Sequence, residues 1–69
     1  MRELESTLEQ EFTQFNRIWV QYSNNGIYKI CLTLFPKGEH DYRMVFGTVK
    51  QLNIDNIRLI LTNHLETKN

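Results

Sequence analysis

Apolar and polar residues alternate with period two through the middle of this 69-residue chain. Between residues 27 and 35 the odd-numbered positions are mixed, whereas the even-numbered positions are all apolar: Tyr28, Ile30, Leu32 and Leu34. A period of two is typical of a strand with one buried face. The pattern predicts a central strand over residues 27–35 with its even-numbered side chains in the core.

A second alternating stretch predicts a strand over residues 17–23, joined to the central strand by a tight turn that ends at Gly26. The length of this turn decides which side chains meet, because a shift of one residue moves every side chain to the other face. A three-residue loop sets Tyr22 opposite Tyr28 and each core residue opposite another. We therefore expect a three-residue loop with Gly26 in the left-handed conformation.

A third stretch predicts a strand over residues 41–49. It follows a loop in which Pro36 ends the central strand and Gly38 turns the chain. Pairing Leu34 with Tyr42 sets each core residue of the central strand opposite an apolar residue of the third strand. The three strands then form an antiparallel meander in the order 1-2-3.

Helical periodicity flanks the three strands. Residues 3–16 predict an amphipathic helix, because one narrow stripe carries its large apolar side chains, Leu4, Leu8, Phe12 and Phe15. Residues 54–66 predict a second helix with Asn53 as its N-cap. Its inward face consists of Ile54, Ile57, Ile60, Leu61 and Leu65. The predicted fold is α+β in the order α-β-β-β-α, with both terminal helices packed on one face of the sheet.

A single small domain over residues 1–69 accounts for the length of the chain, which is near the lower limit of independent stability. Cys31 is the only cysteine, so a disulfide framework within the chain is excluded. A lone thiol without a signal-peptide pattern predicts a reducing, cytoplasmic setting. No apolar run approaches the roughly 20 residues that span a bilayer, which argues against a membrane partner.

Charge is unevenly distributed although the formal net charge is zero. Residues 1–16 carry four glutamates against one arginine, whereas residues 17–50 carry five basic residues against two acidic ones. The first helix therefore has an acidic face, formed by Glu5, Glu9 and Glu11. Such a face is a candidate competitor for a basic groove on another protein.

Catalytic and metal-binding patterns are weak. Cys31 would need a nearby base to become a nucleophile, and His40 lies too far along the chain to reach it. The run from Glu39 to Asp41 holds three potential ligands, but consecutive loop residues rarely converge on one ion. No phosphate-binding loop or nucleophile elbow is present. We predict a non-enzymatic protein without a metal, a cofactor or a small-molecule substrate.

The element order α-β-β-β-α resembles that of the double-stranded-RNA-binding domain, at about this length. That family holds phosphates through a lysine cluster at the start of its second helix. The matching stretch here, residues 53–58, has one basic residue, Arg58, and one acidic residue, Asp55. The sequence therefore argues against nucleic-acid binding of that kind.

The outward face of the sheet is the remaining candidate site. In the predicted register one row across the strands consists of Trp19, Cys31 and Val45. The next row consists of Arg17, Thr33 and Arg43, and Phe35 lies towards the end of the face. Exposed aromatic and arginine side chains are typical of protein interfaces. We therefore expect a small protein-binding regulator or inhibitor. The chain has no alanine and is rich in asparagine, a composition that resembles that of small proteins from AT-rich bacterial genomes and their phages. The alternative is a homodimer whose sheet faces meet, with a structural or nucleic-acid-associated role.

Overall fold

The computed structural model describes residues 2–67, so the ends of the predicted 1–69 domain lie outside the described part. Its elements follow the predicted α-β-β-β-α order: α1 (Arg2–Glu11), β1 (Phe15–Asn24), β2 (Tyr28–Pro36), β3 (Arg43–Val49) and α2 (Ile54–Thr67). The strands form one antiparallel sheet in the order β1-β2-β3. The α+β class and the meander are confirmed.

Both helices pack on the same face of the sheet, as predicted, and they also contact each other. α1 contributes the fully buried Leu8 and α2 contributes Ile57 and Leu61, and these side chains join the inward side chains of all three strands in one core. The buried core consists of Leu8, Phe15, Ile18, Val20, Ile30, Leu32, Leu34, Val45, Ile57 and Leu61. Burial of this apolar surface is the main stabilising contribution in a fold of this size.

Helix α1 ends at Glu11, well before the predicted end at residue 16. The amide of Phe12 closes the last turn by donating to the carbonyl of Leu8 at 2.8 Å, and the chain then turns into β1. Phe15 fits the helical stripe by its spacing, but it lies in β1 opposite Pro36 and is buried there. The predicted helix end was wrong because spacing alone does not distinguish the two structures: Phe15 is buried to the same extent in the strand as it would be in a longer helix.

The first hairpin has the predicted three-residue loop, here residues 25–27, and Gly26 has a φ of 87°. Its register differs from the predicted one by two residues, so Tyr22 lies opposite Ile30 and not opposite Tyr28. A shift of two residues keeps every side chain on its own face. The predicted division of β1 and β2 into core and outward positions therefore holds.

The second hairpin differs by one residue, which reverses the two faces of β3. Leu34 lies opposite Arg43 and not opposite Tyr42, and Leu32 lies opposite Val45. Val45 consequently points inward and is only 8% exposed, whereas Phe46 points outward and is 71% exposed.

Packing of α2 explains this register. Asn53 caps the helix as predicted, because its Oδ1 accepts a hydrogen bond from the amide of Asn56 at 2.9 Å. Ile60 then lies directly over Gly47, where a built Cβ atom would approach the Ile60 Cδ1 atom to 2.8 Å. In the predicted register the large side chains of Met44 and Phe46 would face α2. In the observed register the smaller Val45 and Gly47 face it, which leaves room for Ile60.

Candidate protein-binding face

The side of the sheet opposite the helices is uncovered, and we call it the open face. It carries the odd-numbered side chains of β1 and β2, the even-numbered side chains of β3, and Tyr42 just before β3. These residues are Arg17, Trp19, Gln21, Ser23, Lys29, Cys31, Thr33, Phe35, Tyr42, Met44, Phe46 and Thr48. Most of them are exposed, and only Cys31, Thr33 and Phe35 of the central strand are half-buried.

Three aromatic rings form a continuous row across the open face. The ring centroids of Trp19 and Phe35 are 5.2 Å apart in an edge-to-face arrangement, and those of Phe35 and Tyr42 are 6.1 Å apart. Trp19 is 42% exposed and Tyr42 is 59% exposed, so the row presents its surface to solvent. Ring pairs of this kind hold each other in place and leave a stiff apolar surface.

Positive charge accompanies the aromatic row. The guanidinium carbon of Arg17 lies 5.4 Å from the centroid of the Trp19 ring, within the range of a cation–π interaction. Lys29 is the second cation of the open face, and none of the twelve open-face residues is acidic. A partner surface that is apolar at its centre and carries carboxylates at its rim complements this arrangement.

The predicted row of Trp19, Cys31 and Val45 does not form. Trp19 lies opposite Thr33, which lies opposite Met44, whereas Cys31 lies opposite Phe46. Val45 is part of the core.

Arg43 is also absent from the open face, where the predicted register placed it beside Arg17. It lies on the inward side of β3, and its Nη2 atom donates to both carboxylate oxygens of Glu39, at 3.0 and 3.1 Å. Arg17 lies opposite Phe35. Of the predicted partner-binding residues, Arg17, Trp19, Cys31 and Phe35 therefore share the open face.

Sequence reasoning missed Tyr42, Met44 and Phe46 because it assigned them to the core. They are the largest apolar residues of the third stretch, so the alternation within that stretch, taken by itself, predicts that they are buried. The opposing signal is Gly47, which in the observed register lies opposite Ile30. A glycine in the middle of a strand marks a close approach, and such an approach falls on the covered face of the sheet.

Cys31 lies near the middle of the open face as a half-buried free thiol. Beside it is a shallow depression of about 270 Å³ whose lining includes Gln21, Lys29 and Phe46. The depression is large enough to receive one apolar side chain of a partner.

The three glutamates of the predicted acidic face bond groups within the molecule. Oε2 of Glu5 accepts a hydrogen bond from the backbone amide of Val20 at 2.7 Å, and Oε2 of Glu9 accepts one from the amide of Ile18 at 3.0 Å. β1 is an edge strand, so these amides have no neighbouring strand to bond. The two carboxylates therefore cap the edge of the sheet.

Glu11 joins the two helices. Its carboxylate accepts hydrogen bonds from Nε and Nη2 of Arg58 at 2.7 and 2.8 Å, and Nη1 of Arg58 also donates to Asp55 at 2.6 Å. These bonds hold the pKa of Glu11 below its ordinary value and raise the pKa of Arg58. The predicted acidic face is thus a set of intramolecular contacts.

Within residues 2–67 no group of three or more His, Cys, Asp or Glu side chains is arranged to hold a metal ion. None of the helices in that range is long and apolar enough to cross a membrane. Comparison of the chain with family models, curated proteins and solved structures finds no significant match.

Proposed function

We propose that this chain is a non-enzymatic protein-binding domain that regulates or inhibits its partner through the open face. The observation that carries the proposal is the exposed aromatic row of Trp19, Phe35 and Tyr42 on a face that neither helix covers. Aromatic and arginine side chains dominate the binding energy of protein interfaces. The lone half-buried thiol of Cys31 is consistent with action in a reducing, cytoplasmic setting.

The open face is favoured over the acidic helix as the binding surface. The carboxylates of Glu5, Glu9 and Glu11 already bond groups within the chain, and a partner would have to break those bonds. The open face requires no such rearrangement. Its partner is a protein surface with an apolar centre and acidic groups placed to meet Arg17 and Lys29.

Capture of a partner from the native host tests the proposal, with wild type compared with Trp19→Ala and Leu59→Ala. Leu59 is the matched control, because it is 59% exposed on α2, away from the open face. We expect wild type and Leu59→Ala to retain the same protein, and Trp19→Ala to lose it. With the purified partner, Trp19→Ala should weaken binding about tenfold or more.

Two controls complete the test. Circular dichroism of Trp19→Ala should match that of wild type, and an unfolded variant would show that Trp19 supports the core and not a partner. Charge reversal of Lys29 to Glu should weaken binding to the purified partner. Trp19, the only tryptophan, also reports by its fluorescence whether an oligonucleotide stacks on the open face. Saturable oligonucleotide binding without a protein partner would overturn the proposal.

A further inference from the structure

The two edges of the sheet differ in how their backbone groups are satisfied. The amides of Ile18 and Val20 donate hydrogen bonds to Glu9 and Glu5, which shows that the even-numbered amides of β1 point away from β2. Because backbone groups alternate in direction along a strand, the even-numbered residues of β2 bond β3. The odd-numbered residues of β3 therefore bond β2, and the backbone groups of Met44, Phe46 and Thr48 point out of the sheet.

Nothing in the described part of the chain caps this second edge. Within residues 2–67 no side chain is hydrogen-bonded to the backbone of Met44, Phe46 or Thr48. The one charged residue of β3 is Arg43 at its first position, where it is paired with Glu39. The rest of the strand, residues 44–49, contains no proline and no charged residue, and the register of β3 shows no bulge. Edge strands of monomeric proteins usually carry one of these features as protection against pairing.

We propose that two copies of this chain pair along β3 as antiparallel neighbours about a two-fold axis, forming one continuous six-stranded sheet. Full overlap of the seven-residue strand places Phe46 on the axis, opposite Phe46 of the second copy. Met44 then lies opposite Thr48, and about six backbone hydrogen bonds form between the copies. The contact is self-complementary, as a two-fold interface requires.

The side chains also fit this pairing. On the open face the two Phe46 rings, each 71% exposed in one copy, cover each other. On the other face Val45 of one copy lies beside Gly47 of its mate. That position borders a groove of about 380 Å³ between β3 and α2, lined in part by Ile60 and Asn63.

Capping of β1 limits the assembly to two copies. In each copy the central outward amides of β1, those of Ile18 and Val20, are occupied by Glu9 and Glu5, whereas the β3 edge is bare. Pairing of the bare edges therefore leaves only the partly capped β1 edges for a third copy. The β3 edge is therefore expected to pair with one second copy and not to start an open-ended chain of copies. The resulting dimer carries two aromatic rows on one continuous face. This inference concerns the β3 edge and does not depend on the proposed function of the open face.

Light scattering and sedimentation equilibrium test the dimer, with the protein concentration raised to a few hundred micromolar. Wild type should have twice the 8.3 kDa mass of the chain, and a monomer over the whole range would overturn the proposal. Thr48→Pro should be monomeric and folded, because the Thr48 amide points outward and makes no bond within the sheet. Tyr22→Pro, the same change at an outward amide of β1, is the matched control and should remain dimeric.

A second variant covers the case in which Thr48→Pro does not fold. Phe46→Lys places two lysines at the axis with their Cα atoms about 5.5 Å apart, and the repulsion of their charges should also give a monomer. Trp19→Ala should stay dimeric, because Trp19 lies on the far strand of the sheet. A dimeric Phe46→Lys together with a monomeric Trp19→Ala would overturn edge pairing in favour of contact between open faces.

Cys31 provides a direct measure of the geometry. In the proposed register Cys31, Phe46, Phe46 of the mate and Cys31 of the mate lie in one row across four strands. Their spacing separates the two Cys31 Cα atoms by about 14 Å, twice the roughly 7 Å limit for a disulfide. Mild oxidation should therefore give no cross-linked dimer, and spin labels on Cys31 should show one narrow distance distribution. Rapid formation of a disulfide-linked dimer would contradict the proposed arrangement.

Discussion

Oε2 of Glu5 lies 2.7 Å from the backbone nitrogen of Val20, so a helix carboxylate occupies the place that a carbonyl of a fourth strand would take. Glu9 does the same for Ile18. A charged acceptor makes a stronger hydrogen bond to an amide than a neutral one does. The helix therefore stabilises the sheet through polar contacts as well as through the burial of Leu8.

Glu5→Ala is expected to lower the free energy of unfolding by about 1–2 kcal/mol, because it leaves the partly buried amide of Val20 without its acceptor. Glu5→Gln keeps an acceptor oxygen and should cost less. Urea unfolding followed by circular dichroism measures both. Gln10→Ala, at an exposed position of the same helix, is the control and should stay within about 0.5 kcal/mol of wild type. Equal stability of Glu5→Ala and Gln10→Ala would contradict the capping role.

Gly47→Ala should destabilise the fold by about 1–3 kcal/mol, because the added methyl group overlaps Ile60. Ile60→Val shortens the side chain that the methyl group meets, so the double variant should lose less than the sum of the two single changes. Thermal and urea unfolding of all three variants measure this coupling. Strict additivity would show that the added methyl group does not act through its contact with the Ile60 side chain.

The ion pair between Glu11 and Arg58 predicts a pH dependence of stability. The pKa of Glu11 is lower in the folded chain than its ordinary value of 4.5, because Arg58 donates two hydrogen bonds to the carboxylate. The stabilisation is therefore complete well above pH 4.5 and is lost as the pH falls through the folded pKa. Glu11→Gln should lower Tm at pH 7 but not at a pH below that value.

Glu3→Gln is the control for the pH experiment, because Glu3 is exposed in the same helix and its carboxylate forms no ion pair within residues 2–67. At pH 7 the Tm difference between Glu3→Gln and wild type should be smaller than that between Glu11→Gln and wild type. A Tm difference between Glu11→Gln and wild type that persists unchanged in acid would rule out the ion pair as its cause.

Gly26→Ala should cost about 1–2 kcal/mol through backbone strain alone. The φ of Gly26 is 87°, and a built Cβ atom meets nothing within 4 Å, so no steric clash contributes. Gly26→Asn should cost less, since asparagine tolerates the left-handed region better than alanine. Chemical unfolding of the two variants measures the difference, and two equally stable variants would contradict a strained turn.

The fold was predictable from the sequence because its main signals are local. Alternation in β1 and β2, the N-cap Asn53 and the spacing of apolar residues in α2 each depend on a few neighbouring positions. Parity arguments also give the correct faces of the first hairpin, although its register differs by two residues. Parity excludes a two-residue loop, and the three-residue loop that it predicts is the one observed.

The register of β3 and the end of α1 were not predictable in this way, because both depend on contacts distant in sequence. Ile60 approaches Gly47 and thereby turns Val45 inward and Phe46 outward. Phe15 pairs with Pro36 across the sheet and leaves the helix. The open face therefore contained the right residues on two strands and the wrong ones on the third.

The two capped amides also determine how much of a strand a helix can shield. Glutamates four positions apart on α1 are separated by about 6.0 Å along the axis, because each helical residue rises about 1.5 Å. Alternate amides of a strand lie about 6.6 Å apart, so Glu5 and Glu9 match Val20 and Ile18 closely. The difference of about 0.6 Å accumulates with every further pair. A straight helix can thus shield a few strand amides in succession, which limits the length of sheet edge that this architecture closes without a fourth strand.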